Sequence, residues 1–532
     1  MFNHPLALEQ AYNAVEEAIR LGASYADARY EYHQREDVVT RNGTLSQANV
    51  TQTRGIGIRV LVRGAWGFVA ASEPTRHDVA VAAKRAVDLA RASAVLQERP
   101  IQLVEQAPQR ALFRTPIKRD PLAVPLEDKL QILLSVDDKL RQVDQIVLAE
   151  GRFFAHRRRK IFVSSEGSEL DQELVYTGAG YLAGASDGND FQIRSYPFWT
   201  EGQVLGRGWE MVAELNLMDH AERVAHEAVE LLKAPVCPAQ KGTLILGNAA
   251  AAAQLHANVS HLFELDRVLG QQASENGRSF LSADKLGTFQ LGSNLLQVVA
   301  DAREQGGAGS FGFDDEGVEA QRLELVSDGR LTGYLSGRDT AQEVGLERSG
   351  GAFRASSYAH VPTARPTNLM LVPGQSGDLD ALVADTKSGI LIDTPRAISV
   401  DASGQTFFAV GERAFEIKDG RRARLLKNPT YHGSTTSFWQ GLDALGGPTS
   451  LGHFGLSRSK KGRPAQYVPV GLHAVPARFQ GVAIGAQLEP LDRVAGATDS
   501  GNLPTLPPRR GSKKSSVPKK KPKKGARKRD TK

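Results

Sequence analysis

Between residues 323 and 417 short apolar runs alternate with turn residues, and this spacing confines much of the second half of the chain to sheet. Residues 323–326, 331–336, 369–372, 389–392, 397–400, 407–410 and 414–417 each read as a short strand. Ser327-Asp328-Gly329, Ala402-Ser403-Gly404 and Lys418-Asp419-Gly420 punctuate them. Turns of this composition tolerate the positive φ that tight hairpins demand, so the pattern favours antiparallel pairing. One more strand, 242–246, opens this half.

The first half mixes both periodicities. Leu8, Ala11, Val15, Ala18 and Ile19 recur at helical spacing over 6–21, and Gly22 follows as a helix terminator. A strand over 25–32 comes next, then a hairpin of 56–62 with 66–70 about Arg63-Gly64-Ala65. Residues 78–94 and 222–233 read as helices, with strands dominating 145–181. Pro235 and Pro238 mark a boundary. The expected fold class is α+β. It comprises an N-terminal mixed α/β domain over 1–235, a β-rich C-terminal domain over 240–488 and a disordered tail over 489–532.

The net charge of +6 belongs to that tail. From 509 to 532 there are 13 Lys or Arg and one acid, giving +12, so the rest of the chain carries −6. A lysine-rich segment without apolar periodicity cannot bury enough surface to fold. It is expected either to solubilise the chain or to hold polyanions weakly and without sequence preference, since it has no aromatic ring to stack on a base. The single cysteine, Cys237, excludes an intrachain disulfide and suits a reducing compartment. The N-terminus lacks a basic region followed by an apolar core, and no apolar run approaches the twenty or so residues of a membrane span. A cytoplasmic protein with no membrane partner is expected.

Chemistry concentrates in His256-Ala257-Asn258-Val259-Ser260-His261, which follows an alanine run and precedes Glu264 and Asp266. Two neutral imidazoles can hold a metal ion, and hydrolysis then needs a carboxylate to take a proton from water. On an ideal α-helix, positions i and i+5 lie roughly 140° apart, so sharing one ion calls for local widening such as a π-bulge.

Along nearly its whole length the chain resembles the TldD/PmbA family of metallopeptidases. His256, His261, Glu264 and Asp266 match the family's metal motif. Phe313-Asp314-Asp315-Glu316-Gly317, Asp328-Gly329-Arg330-Leu331-Thr332-Gly333-Tyr334 and Ala364-Arg365-Pro366-Thr367-Asn368 match further motifs in order. Near the N-terminus, Gly22-Ala23-Ser24-Tyr25-Ala26-Asp27-Ala28-Arg29 and Arg63-Gly64-Ala65-Trp66-Gly67-Phe68 do the same. The resemblance implies zinc as cofactor, peptide as substrate or ligand, and a homodimer or a heterodimer with another family member. It also exposes two departures. Ala257 stands where the family has its general-base glutamate. Ser459, counted back from Val468-Pro469-Val470-Gly471, falls where the family has a cysteine ligand. Cys237 does not match that position and reads as a small buried or linker residue.

Several other residues are candidates for a role. His432, His453 or His473 could supply a third nitrogen. The acidic triplet 314–316 reads as a solvated turn, and Arg365 as an internal pairing partner. Gly306-Gly307-Ala308-Gly309-Ser310 lacks the ending of a phosphate loop and reads as a flexible linker beside the cleft. Three functions remain open. The first is a peptidase acting on unfolded or modified peptides, with Glu264 or Asp266 as replacement base. The second is a non-catalytic partner subunit or peptide-binding protein. The third is a nucleic-acid-associated protein acting through its tail. Losing a general base typically costs about 10²–10⁴ in rate, which places the impaired site ahead of the working one.

Overall fold

The computed structural model describes residues 3–272 and 277–485. The expected tail and the last three residues of the second expected domain, 486–488, lie outside the described residues.

Two capped helices open the chain. Asn3 caps His4–Arg20 by accepting from Leu6 N at 3.2 Å. Thr75 and Asp78 cap Arg76–Ala94 reciprocally, Thr75 Oγ1 accepting from Asp78 N at 3.3 Å and Asp78 Oδ2 from Thr75 N at 2.9 Å. Such a capping box satisfies two otherwise orphaned donors. Both helices lie on one sheet, formed by Tyr25–Arg41, Thr44–Val62, Ala65–Ser72, Ile146–Ser164, Glu169–Ser186 and shorter strands. Their contact faces are mostly alanine, including Ala11, Ala14, Ala83 and Ala86, against Ile56, Ile58, Ile161 and Val163. Small side chains permit a close approach. A Cβ on Gly67 would lie 2.0 Å from the Ala86 carbonyl oxygen. A second pair of helices, Leu126–Arg141 and Leu217–Lys233, buries Leu133, Val136, Val224 and Ala228 with the far end of the same sheet. Tyr25–Arg41 and Thr44–Val62 join through Asn42 and Gly43, both with positive φ as a two-residue primed turn requires.

The second half holds two larger sheets. One runs Arg330–Leu331, Arg322–Ser327, Val298–Asp301, Asn368–Leu371, Gln466–Ala474, Gly452–Lys461. The other has nine strands, with Gln240–Leu246 and Ser388–Ile392 near its centre. The helix Asn248–Val259 packs on strands of both sheets. Ala250 to Ala253 are at most 1 % exposed, which accounts for the alanine run, since a helix apolar all round is a buried helix.

Pairing is mainly antiparallel, as expected. Among the described residues three ladders are parallel: Arg110–Arg114 with Glu169–Ser186, Gln240–Leu246 with Ser388–Ile392, and Asn368–Leu371 with Gln466–Ala474. The strand expected over 331–336 ends at Leu331. Beyond it the backbone leaves the ladder and pairs with the end of the histidine segment, Leu335 N donating to Phe263 O at 2.8 Å. No helix among the described residues is long and apolar enough to cross a membrane.

Two expectations are corrected. The glycine-rich stretch 306–310 is not a flexible linker. Gly309 N donates to Asn368 Oδ1 at 2.8 Å, Ala308 is fully buried, and a Cβ on Gly309 would lie 2.2 Å from Thr367 O. Its glycines serve close packing. Residues 314–316 are not a solvated turn either, since each is at most 2 % exposed. Lys160 Nζ reaches Asp315 Oδ1 at 2.7 Å, Arg158 Nη2 the same oxygen at 3.1 Å, and Arg59 Nη1 the Glu316 carboxylate at 2.7 Å. These cations belong to strands of the first sheet, so a buried ion network ties that sheet to the second half of the chain. Burial pushes the Asp315 carboxyl up, but Arg158, Lys160 and Arg29 together hold it well below the usual carboxylate range.

Candidate functional site

His256 lies in the last turn of Asn248–Val259, and His261 lies beyond it, in the 3₁₀ turn Ser260–Leu262. Sharing one ion would call for local widening, and the backbone does the opposite. The backbone distorts at Val259 (φ −108°) and tightens, with Ser260 Oγ donating to His256 O at 2.6 Å. The ring centroids of the two histidines end 5.8 Å apart, with planes at 72°.

Ser459 comes from the strand Gly452–Lys461. A register shift between Leu456 and Ser459 breaks the ladder, and β-bulges of this kind re-aim side chains. Ser459 and Lys461 are then both buried, as two residues on one face of a strand can be. His256 Nε2 and Ser459 Oγ are 3.1 Å apart. His261 Nδ1 meets Glu264 Oε1 at 3.0 Å. Lys461 Nζ lies 3.2 Å from Glu264 Oε2 and donates to both Asp266 oxygens at 2.8 Å. Arg365, fully buried, donates through Nη2 to the Ser459 carbonyl, with its Nε 4.0 Å from Glu264.

The electrostatics follow from these contacts. Burial would raise the Glu264 pKa, but Lys461, His261 and Arg365 outweigh it and hold it at about 2. Burial raises Asp266 above its ordinary value against the pull of Lys461. Burial, then His261 and Arg365, lower His256 to about 3, so its imidazole is neutral near pH 7. Linkage gives this a sign. The unfolded chain takes up a proton near pH 6.5 that folded His256 refuses, so stability falls as pH drops from about 6.5 toward 3. Replacing His256 with Gln is expected to flatten this part of a stability–pH curve measured by urea unfolding. An unchanged slope would show that His256 titrates normally in the folded chain.

Lys461 is the participant that sequence reading missed. The available signal was the alternation Ser459-Lys460-Lys461 on a strand, which sends a lysine to the same face as Ser459. The histidines considered as third ligands have other partners. His453 and His473 contact each other, and His432 stacks on Phe408 in the nine-stranded sheet. Cys237 is buried, and burial pushes its thiol up to about 11.

Three family domains match in chain order. The PmbA/TldA metallopeptidase domain 1 covers residues 26–94, the central domain 119–234 and the C-terminal domain 239–484. A fold of two sheet systems around a buried histidine helix, matched over most of its length, defines a metallopeptidase-type architecture. The chain belongs to the PmbA/TldD family. It is 27% identical over 462 residues to a metalloprotease of Methanocaldococcus jannaschii, covering 86% of this chain and 96% of that protein. It is also 27% identical to a metalloprotease TldD homolog of Haemophilus influenzae, over 87% and 92% of the two chains. The crystal structure of TldE from Thermococcus kodakarensis superposes with a TM-score of 0.67 at 15% identity, covering 90% of this chain and all of that one.

A family of metalloproteases implies a metal, and the histidine segment is where it would bind. The donors present fit catalytic zinc poorly. Such sites use three protein ligands with an open fourth position, whereas this one offers two imidazoles and a neutral hydroxyl. The carboxylate that touches His261, Glu264, is already held by Lys461 at 3.2 Å and faces Arg365 at 4.0 Å.

Proposed function

We propose that this chain binds peptide through the peptidase fold without hydrolysing it unaided, and works beside a second subunit, either another copy or another family member. The 3.1 Å contact of His256 with the Ser459 hydroxyl carries this reading. An alcohol stays protonated near neutral pH and is a poor zinc ligand. Ala257 cannot move a proton, and neither nearby carboxylate replaces it. Glu264 is held ionised at about 2, too weak a base to take a proton from water, and Asp266 is engaged at both oxygens by Lys461. Relatives named metalloproteases make peptide the ligand class to test.

The full chain is expected to raise the fluorescence anisotropy of a labelled unfolded polypeptide while gels show no cleavage that a chelator suppresses. His256→Ala should leave that binding unchanged. Chelator-sensitive cleavage that disappears in His256→Ala would overturn the proposal and return Glu264 to candidacy as general base.

A further inference from the structure

At the other end of the strand that carries Ser459, two more histidines meet. His453 on Gly452–Lys461 and His473 on Gln466–Ala474 are direct cross-strand partners. Their Nδ1 atoms are 2.6 Å apart and their ring centroids 4.6 Å. Glu304, in the loop following Val298–Asp301, completes a triad in which one donor atom from each residue lies within 4.8 Å of the others. Ser459 lies six positions along the strand from His453, and their partners Val468 and His473 are five positions apart, about 17 Å at the usual rise, so this cluster is distinct from the histidine-helix site.

Its surroundings are those of a built site. His473 is 1 % exposed, and its Nδ1 faces His453 Nδ1. Glu304 is half-buried and has no ion-pair partner among the described residues, while the adjacent Arg303 is taken by Asp301 at 3.0 Å. The loop that presents Glu304 is pinned. Ser310 Oγ donates to the Glu304 carbonyl, and Asn368 Nδ2 reaches Ser310 Oγ at 2.9 Å and Asp301 O at 2.6 Å. His453 is exposed, so the cluster opens to solvent.

We propose that Glu304, His453 and His473 bind a divalent transition-metal ion of the zinc class. Two imidazoles and a carboxylate are a donor set that zinc accepts, with a fourth position left for water. Two Nδ1 atoms at this distance share either a proton, in an N–H···N hydrogen bond between two neutral rings, or a metal ion. The unpaired carboxylate beside them favours the metal. Nitrogens bound to one tetrahedral zinc at 2.0–2.1 Å stand about 3.3 Å apart, so the rings separate by about 0.7 Å on loading. Rotation of the exposed His453 supplies that movement.

The test is a titration of the chelator-stripped full chain with zinc chloride, read by competition with a chromogenic chelator. Cobalt(II) absorption would report the ligand geometry. One equivalent is expected, and His453→Ala and Glu304→Gln should each weaken it by at least about tenfold. His256→Ala and Ser459→Ala should leave it unchanged. His453 is exposed, so its substitution tests the site without emptying the core, and near-ultraviolet circular dichroism would verify the fold. The proposal falls if the stripped chain takes up no zinc, which leaves the pair sharing a proton. It falls equally if the zinc survives His453→Ala but is lost in His256→Ala.

Discussion

Replacing Asp315 with alanine is expected to lower the unfolding free energy by about 3–5 kcal/mol, the usual consequence of removing one partner from a buried ion pair. Asp315 accepts from Lys160 Nζ at 2.7 Å, from Arg158 Nη2 at 3.1 Å and from Ala355 N at 2.7 Å. The substitution strands the buried Lys160 ammonium and one backbone donor, while Arg158 keeps Glu31 at 2.7 Å. Urea unfolding would measure the loss. Because the stranded Lys160 ammonium is the main cause, the double change Asp315→Asn with Lys160→Met should recover part of the loss, since removing both members of a buried pair is often close to neutral. A loss below about 1 kcal/mol, typical of surface pairs, would show that water reaches the network.

The same residues illustrate what could be read from the chain alone. Helix and strand positions were legible because their periodicity is local. His4–Arg20 and the hairpin of Thr44–Val62 with Ala65–Ser72 fell where the pattern put them. The parallel ladders were not legible, because Gln240–Leu246 and Ser388–Ile392 lie far apart in sequence and nothing local records their pairing. Residues 314–316 read as a solvated turn because three adjacent acids usually are one. Their partners, Arg59, Arg158 and Lys160, come from more than 150 residues away. At the candidate site, the 3₁₀ tightening between His256 and His261 was not legible from their spacing, because it depends on Ser260 bonding back to His256 O. Counting back along the strand identified Ser459, and the structure sets it 3.1 Å from His256. Lys461 was passed over although strand alternation puts it on the same face as Ser459; the register shift before Ser459 decides that this face turns inward.

Supplying the two missing groups is expected to change the metal chemistry of the histidine segment more than any other substitution. Ser459→Cys places a buried thiol beside His256 Nε2, where burial raises its pKa and nearby cations oppose that rise. Arg365 donates to the backbone carbonyl of the same residue, and Lys461 lies two positions along the strand. Nearby cations lower a thiol pKa, and a thiolate with two neutral imidazoles makes a three-ligand zinc set. In a His453→Ala background, which removes the zinc proposed at the other cluster, Ser459→Cys should therefore gain about one equivalent of zinc. Adding His256→Ala should remove that equivalent. Ala257→Glu alone should gain none, because a base without its third ligand has no ion to work beside. Only with both changes should chelator-sensitive cleavage of unfolded polypeptide emerge, exceeding that of Ser459→Cys alone by about 10²–10⁴, the usual worth of a positioned acid–base group. Ligand and base act as one unit, so their effects should not add. If Ser459→Cys binds no zinc that depends on His256, then Lys461 and Arg365 have made the segment too cationic for a metal ion. The loss of chemistry would then lie in those two side chains rather than in the missing thiolate.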